Sequence, residues 1–187
     1  MKFALTMIAL SGLISSMAIA QTNAPVPTVT PPTLTAPPIP APPQYGCDSP
    51  ESKQFDFWLG DWEFTSQGNK GVNRVSKILG GCVVFENFGD GSPNTLKGQS
   101  VSTFDRASRR WKQTWVDNTA SYLDFTGGME DGKMIFTREA IVGGKKIMQR
   151  MIWFNIEKDR FSWSWDRSDD GGKTWKVLWP LEYTRVK

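Results

Sequence analysis

The chain has 187 residues, 22 basic and 19 acidic side chains, and no histidine. The lack of histidine excludes Ser-His-Asp and Cys-His catalysis, histidine zinc sites and a haem with a proximal histidine. Charges of both signs alternate along the chain and leave a formal net charge of only +3, so we predict no nucleic-acid or membrane-binding patch. No phosphate-binding loop or dinucleotide fingerprint is present.

The first twenty residues have the pattern of a signal peptide. Lys2 supplies a positive start, residues 3–14 are apolar, and Ala18-Ile19-Ala20 resembles a cleavage site. The apolar run is too short for a typical spanning helix, although an uncleaved anchor is the alternative. We therefore expect a periplasmic or secreted protein, and we expect no membrane span later in the chain.

Residues 21–46 contain no charged side chain and are rich in proline, including Pro31-Pro32, Pro37-Pro38 and Pro42-Pro43. Such a segment cannot bury a core and is predicted to be a disordered, extended linker. As a spacer it would hold the following domain away from a surface. The alternative is that it contacts a proline-binding partner in the cell envelope.

The folded domain is therefore predicted over residues 47–187, and its two cysteines are Cys47 and Cys82. In an exported protein, a pair of cysteines predicts one disulfide. Two free thiols are the alternative, but the chain has no histidine to activate them.

The domain is predicted to be all-β with one short helix at its start. Ser49-Pro50-Glu51 is a helix-start pattern, and Gly60 can end the helix after Leu59. Closely spaced turn signals then predict a meander of antiparallel strands, which must close on itself or pack as a sandwich. We favour an up-and-down β-barrel with the helix plugging one end. The ten predicted strands are 61–67, 72–79, 82–88, 96–104, 110–118, 120–127, 132–142, 145–155, 160–168 and 173–186.

Several strands place aromatic rings and polar groups on one face, which is typical of a cavity wall rather than of an aliphatic sandwich core. Ordinary core packing is the alternative for many of these rings. We expect Trp115, Trp153 and Trp165 in the wall and Gln113 and Arg150 as polar anchors. The full set of predicted cavity residues is Glu86, Gln113, Trp115, Asp117, Arg150, Trp153 and Trp165.

Residues 168–175 match the S-x-D-x-G-x-x-W pattern, which resembles the Asp-box hairpins of sialidase-type propellers. In those proteins the aspartate orders a tight turn and the tryptophan packs beneath it. A propeller would need the box repeated from blade to blade, and here it occurs once. We therefore interpret it as a structural β-hairpin formed by Ser168, Asp170, Gly172 and Trp175.

Five segments in this order resemble an uncharacterised family of exported bacterial proteins placed near the calycins. They are Phe55-Asp56-Phe57-Trp58-Leu59-Gly60-Asp61-Trp62, Gly80-Gly81-Cys82, Glu86, residues 113–117 and residues 168–175. In addition, Gly60-Asp61-Trp62 is similar to the G-x-W motif of lipocalins. In lipocalins an arginine from late in the chain covers that tryptophan, and Arg185 is the counterpart here. The resemblance implies a calycin-like barrel with a plug formed by Trp58, Gly60, Trp62 and Arg185.

The resemblance implies a small-ligand cavity but no established activity. Haem-binding relatives use a histidine that this chain lacks, so we expect no cofactor and no metal. Our leading interpretation is a binding protein for a small, largely apolar molecule, and not an enzyme. The alternatives are an interaction module of the cell envelope on a proline-rich stalk, and a small enzyme using carboxylates from the set Glu86, Asp117, Asp124 and Asp166.

Overall fold

A computed structural model describes residues 47–89 and 94–187. The signal peptide predicted at 1–20, the linker predicted at 21–46 and most of the turn at 90–94 lie outside the described residues. No helix within the described ranges is long and apolar enough to cross a membrane.

The strands form one closed antiparallel barrel, which confirms the predicted fold class. Each strand pairs with its neighbours in sequence, and β1 pairs with β10 to close the sheet. Closure leaves none of the ten strands as an exposed edge. The strands are β1 Gly60–Ser66, β2 Asn69–Ile78, β3 Val83–Phe88, β4 Gly98–Asp105, β5 Arg110–Asp117, β6 Tyr122–Glu130, β7 Lys133–Val142, β8 Lys145–Phe154, β9 Arg160–Ser168 and β10 Lys176–Arg185.

Strand alternation determines which side chains enter the barrel. In β9 the rings of Phe161, Trp163 and Trp165 point inward, because successive side chains of a strand point to opposite faces. Two glycines allow inward rings to lie flat against the backbone. A Cβ on Gly71 would lie 2.2 Å from Phe64, and a Cβ on Gly98 would lie 2.1 Å from Trp115.

The prediction of one continuous helix at the start of the domain is wrong. The segment contains two short 3₁₀ turns, Glu51–Lys53 and Asp56–Trp58, separated at Phe55. A 3₁₀ turn aligns residues i and i+3 on one face, so Phe55 and Trp58 both enter the core, where they are almost completely buried.

These turns pack at the end of the barrel where β1 begins and β10 ends, which we call the terminal end. Phe55 contacts Trp111 and Trp153 edge-on, with ring centroids 5.1 and 5.2 Å away. Trp62 lies 4.7 Å from Phe161 and donates its indole N–H to the Trp58 carbonyl. This end of the barrel is filled by aromatic rings.

The disulfide between Cys47 and Cys82 confirms the predicted pairing. It joins the residues that precede the two 3₁₀ turns to the connection between β2 and β3. Arg185 makes a second link at the same end. Its guanidinium carbon lies 4.1 Å from the Trp62 ring centroid, and its side chain donates hydrogen bonds to the carbonyls of Leu59 and Phe57.

The hairpin between β9 and β10 lies at the other end of the barrel, which we call the opposite end. The Asp170 carboxylate accepts hydrogen bonds from the backbone amides of Lys173 and Thr174, and Trp175 donates its N–H to the Gly172 carbonyl. Because these bonds hold residues 169–175 in a turn, β10 begins at Lys176 and not at the predicted position 173.

Candidate functional site

A cavity of about 180 Å³ lies inside the barrel, between the filled terminal end and the opposite end. Its wall is almost entirely apolar and includes six of the nine tryptophans. Trp58 and Trp153 line it on the terminal side, and Leu96 and Trp179 line it toward the opposite end. The other lining residues are Glu86, Phe88, Trp115, Asp117, Leu123, Met151, Trp163, Trp165, Leu181 and Tyr183.

Two of the lining tryptophans keep an unpaired donor. The indole N–H groups of Trp58 and Trp153 are buried and have no hydrogen-bond partner among the described residues. An unpaired buried donor costs on the order of 1 to 3 kcal/mol. By contrast, Trp62 and Trp111 at the terminal end donate to the Trp58 carbonyl and to Gln54. A third buried donor without a partner among the described residues, the Arg138 Nε, lies near Phe125 and does not line the cavity.

Glu86 is the polar centre of the cavity wall. It lies on β3 and is almost completely buried. The Asn73 amide donates to one carboxyl oxygen at 2.7 Å, and the Ser100 hydroxyl donates to the other at 2.6 Å. Burial raises the pKa of Glu86 to about 7, although these two hydrogen bonds act to lower it. The carboxyl group therefore changes its charge near neutral pH.

The hydrogen bonds of Glu86 continue along β4 and β5. Gln113 donates to the hydroxyl groups of Ser100 and Ser102 from the next strand. Ser100 lies directly opposite Glu86 in the β3–β4 pairing, and Ser102 lies opposite Gln113 in the β4–β5 pairing. The register of three strands thus builds a buried polar row behind the carboxyl group.

Tyr183 lines the cavity from β10 and is also almost completely buried. Burial raises the pKa of its hydroxyl well above the ordinary value, and the nearby charge of Glu86 raises it further. Tyr183 therefore stays neutral over the pH range in which Glu86 titrates.

Asp117 is the second carboxyl group of the cavity wall and ends β5 at the opposite end. Partial burial acts to raise its pKa, but hydrogen bonds from Thr119 and Trp115 outweigh burial and lower the pKa to about 2. The Trp115 indole N–H donates to it at 2.9 Å. The cavity thus has one permanently charged carboxylate and one that titrates near neutral pH.

The structure brings together five of the seven residues predicted for the cavity. Gln113 points into the barrel and is buried, but it lies behind Ser100 and does not line the cavity. The five lining residues are Glu86, Trp115, Asp117, Trp153 and Trp165.

The prediction that Arg150 is a polar anchor of the cavity is wrong. It lies three residues from Trp153 on β8, so the strand alternation puts the two side chains on opposite faces. On the outer face of the sheet Arg150 donates to the buried Asp166 at 2.8 Å, and its guanidinium carbon lies 4.1 Å from the Trp175 ring centroid. This pair joins β8 and β9 to the Asp-box hairpin outside the barrel.

Sequence reasoning missed several residues of the site. Asn73 and Ser100 hold the Glu86 carboxyl group, and they belong to strands on either side of β3. The strand alternation already predicts that both side chains face inward, but only the strand register shows which carboxyl group they contact. Trp163 and Trp179 also line the cavity, and their inward positions in β9 and β10 were the available signal.

The remaining predicted carboxylates lie apart from the cavity. Asp124 and Asp166 do not line it, and Asp166 pairs with Arg150 on the outer face. Over residues 47–89 and 94–187, no three cysteine, histidine, aspartate or glutamate side chains are close enough to form a metal site.

No protein-family model matches the chain, and no curated protein matches it.

Proposed function

We propose that this protein is an exported, calycin-like barrel that binds a small, largely apolar ligand. The observation that carries the proposal is the cavity of about 180 Å³ inside the barrel, with six tryptophans in its wall. Apolar cavities of about 150 Å³ are large enough to bind benzene. The cavity is smaller than the several hundred cubic ångströms typical of drug-sized ligands, so we propose a ligand with one or two rings.

The proposed export rests on the signal-peptide pattern of residues 1–20, and the disulfide between Cys47 and Cys82 is consistent with an oxidising compartment. The calycin-like classification rests on the closed barrel and on the contact of Arg185 with Trp62. We further propose that the two 3₁₀ turns close the terminal end, since Phe55 and Trp58 are buried there.

The proposal is tested by titrating the protein with naphthalene and following its NMR spectrum. Leu181 lines the cavity and is buried, so Leu181→Phe fills part of the space and is expected to weaken binding at least tenfold. Val101 is exposed on β4, so Val101→Phe adds the same ring outside the barrel and should leave binding unchanged.

A second measurement looks for the natural ligand. Native mass spectrometry of protein purified from its own host is expected to show a small bound molecule that Leu181→Phe loses. If naphthalene does not bind and no molecule co-purifies, the binding function is wrong.

The interaction-module alternative has one observation in its favour. Val116 and Tyr122 are cross-strand partners on β5 and β6, and both are exposed on the outer surface near Val101. Such a patch suits contact with another protein. If the protein is an interaction module, deleting residues 21–46 should abolish its activity in cells and leave the fold intact. If it is a ligand-binding protein, the same deletion should leave ligand binding unchanged.

A further inference from the structure

The groups that line the cavity have a charge imbalance. Among residues 47–89 and 94–187, its ionisable lining side chains are Glu86, Asp117 and Tyr183, and no lysine or arginine of these ranges lines it. Lys97 borders an adjoining surface depression that shares Asp117 with the cavity, and Arg138 lies over the Phe125 ring inside the barrel without lining the cavity. Tyr183 is neutral at physiological pH, so the charges that the cavity presents are negative.

Glu86 makes this imbalance costly within the barrel. It accepts hydrogen bonds from Asn73 and Ser100, but it has no ion-pair partner among the described residues. A buried carboxylate without an opposite charge is unfavourable, and the protein meets this cost by holding a proton. A ligand that brings a positive charge to Glu86 would replace that proton.

The remaining wall is also suited to a cation. Lysine, arginine and ligand cations are attracted to the faces of aromatic rings, and tryptophan attracts them most strongly. Trp163 and Trp165 line the cavity from β9, and Trp179 lines it from β10. The Trp163 and Trp179 rings meet edge to face, with centroids 5.6 Å apart.

We propose that the ligand is a small organic cation, with an apolar body and one protonated or quaternary nitrogen whose charge is balanced by the Glu86 carboxylate and the tryptophan rings. This inference rests on the proposed ligand-binding function and names the ligand class for the same cavity. A neutral apolar ligand would fill the space equally well, but it would leave the buried carboxylate unpaired. An anionic ligand would meet two carboxylates, with no lysine or arginine in the described part of the wall to balance its charge.

The test compares two probes of the same shape, benzyltrimethylammonium and its uncharged carbon analogue neopentylbenzene. At about pH 8.5 the cation is expected to bind at least ten times more tightly than the analogue. Glu86→Gln keeps the size of the side chain and one acceptor oxygen but removes the charge, so it should abolish this preference. The control is Glu63→Gln, which makes the same change at an exposed position on β1 and should leave the preference intact.

A second test uses the wild-type protein alone, so it does not depend on whether Glu86→Gln folds. The charge of benzyltrimethylammonium is permanent, and Asp117 stays ionised while Tyr183 stays neutral between about pH 5.5 and 8.5. Glu86 is thus the cavity-lining group that titrates in this range. With a pKa of about 7, its protonation lowers the affinity for the cation at the lower pH, by up to about thirtyfold when the protonated form does not bind the cation. The affinity for neopentylbenzene should not change.

The outcomes separate this inference from the proposed function. If neopentylbenzene binds as tightly as the cation at about pH 8.5, the ligand class is wrong and the apolar binding function stands. If the cation is preferred but neither Glu86→Gln nor lower pH reduces the preference, Glu86 is not its counter-ion and the inference is wrong. If neither probe nor naphthalene binds, both proposals fail.

Discussion

Tryptophan serves two different purposes in the two halves of this barrel. At the terminal end, Trp62 and Trp111 are packed against other rings, and each indole N–H has a partner. Around the cavity, Trp163, Trp165 and Trp179 line an open space, and Trp58 and Trp153, which pack against the terminal end and line the cavity, have N–H groups without a partner in the described chain. The terminal end, which we call the filled half, thus contributes stability. The region around the cavity, which we call the hollow half, keeps ring surface available for binding.

The largest expected effect comes from removing a ring at the terminal end. Trp62→Ala should lower the free energy of unfolding by about 3 to 5 kcal/mol, since a fully buried ring leaves a cavity that its neighbours cannot fill. The matched change Trp179→Ala, in the cavity wall, should cost only about 1 to 2 kcal/mol, because that ring is partly exposed already. Urea unfolding followed by circular dichroism measures both. Equal losses would contradict the division into a filled half and a hollow half.

The disulfide should have a comparable effect at the same end. Cys47 and Cys82 are separated by 35 residues, and on the chain-entropy account replacing both by serine costs roughly 4 kcal/mol of unfolding free energy. Wild-type protein unfolded in the presence of a reductant is the control and should match the double variant. A stability that reduction does not change would show that the 3₁₀ turns hold the terminal end without the covalent bond.

Glu86, in the wall of the hollow half, should make the free energy of unfolding of the protein depend on pH. Its pKa in the folded protein, about 7, lies above its ordinary value of 4.5, so the folded state retains the proton over this interval. The stabilising contribution is therefore complete below about pH 4.5 and is lost as the pH rises through 7. Its size is on the order of 3 kcal/mol.

Comparing wild type with Glu86→Gln isolates this contribution, because the other titrating groups are common to both proteins. The variant should gain stability relative to wild type as the pH rises from about 4.5 to 8.5, when measured by urea unfolding at each pH. A constant difference between the two proteins would mean that Glu86 does not change its charge in this range.

The smallest effect is expected at a glycine of the hollow half. A Cβ on Gly98 would lie 2.1 Å from Trp115, so Gly98→Ala must displace that ring from the cavity wall. We expect a loss of about 1 to 2 kcal/mol in stability and weaker binding of naphthalene. Gly128→Ala is the control, because no atom lies within 4 Å of its added Cβ. Similar binding by both variants would argue against a role for Trp115 in the wall.

The barrel could be predicted because its signals are local. Turn residues such as Gly143-Gly144 separate strands that alternate regularly, and neighbouring antiparallel strands follow from short connections. Even so, local capping signals predicted one helix at 50–59, whereas the structure has two 3₁₀ turns there, with Phe55 and Trp58 buried against distant strands. Boundaries determined by contacts with distant strands were therefore the least accurate.

The candidate site was less predictable, because it depends on strand register. Glu86 was singled out from its strand, but Asn73 and Ser100 reach it only through the pairing of β2, β3 and β4. The error at Arg150 is of a different kind. Its polar character suggested an anchor, although counting residues from Trp153 already places it on the outer face.

The pairing of β1 with β10 also has a consequence for how the protein folds. Trp62 lies opposite Arg185, so the two strands that close the sheet are the first and the last of the barrel. Contacts between residues so distant in sequence form late and slow the folding of a domain. A chain that is synthesised or exported from its N-terminus cannot close until β10 has emerged, and until then β1 is an unpaired edge. Chaperone protection during that interval would matter more for this protein than for one whose first strand pairs only with the next.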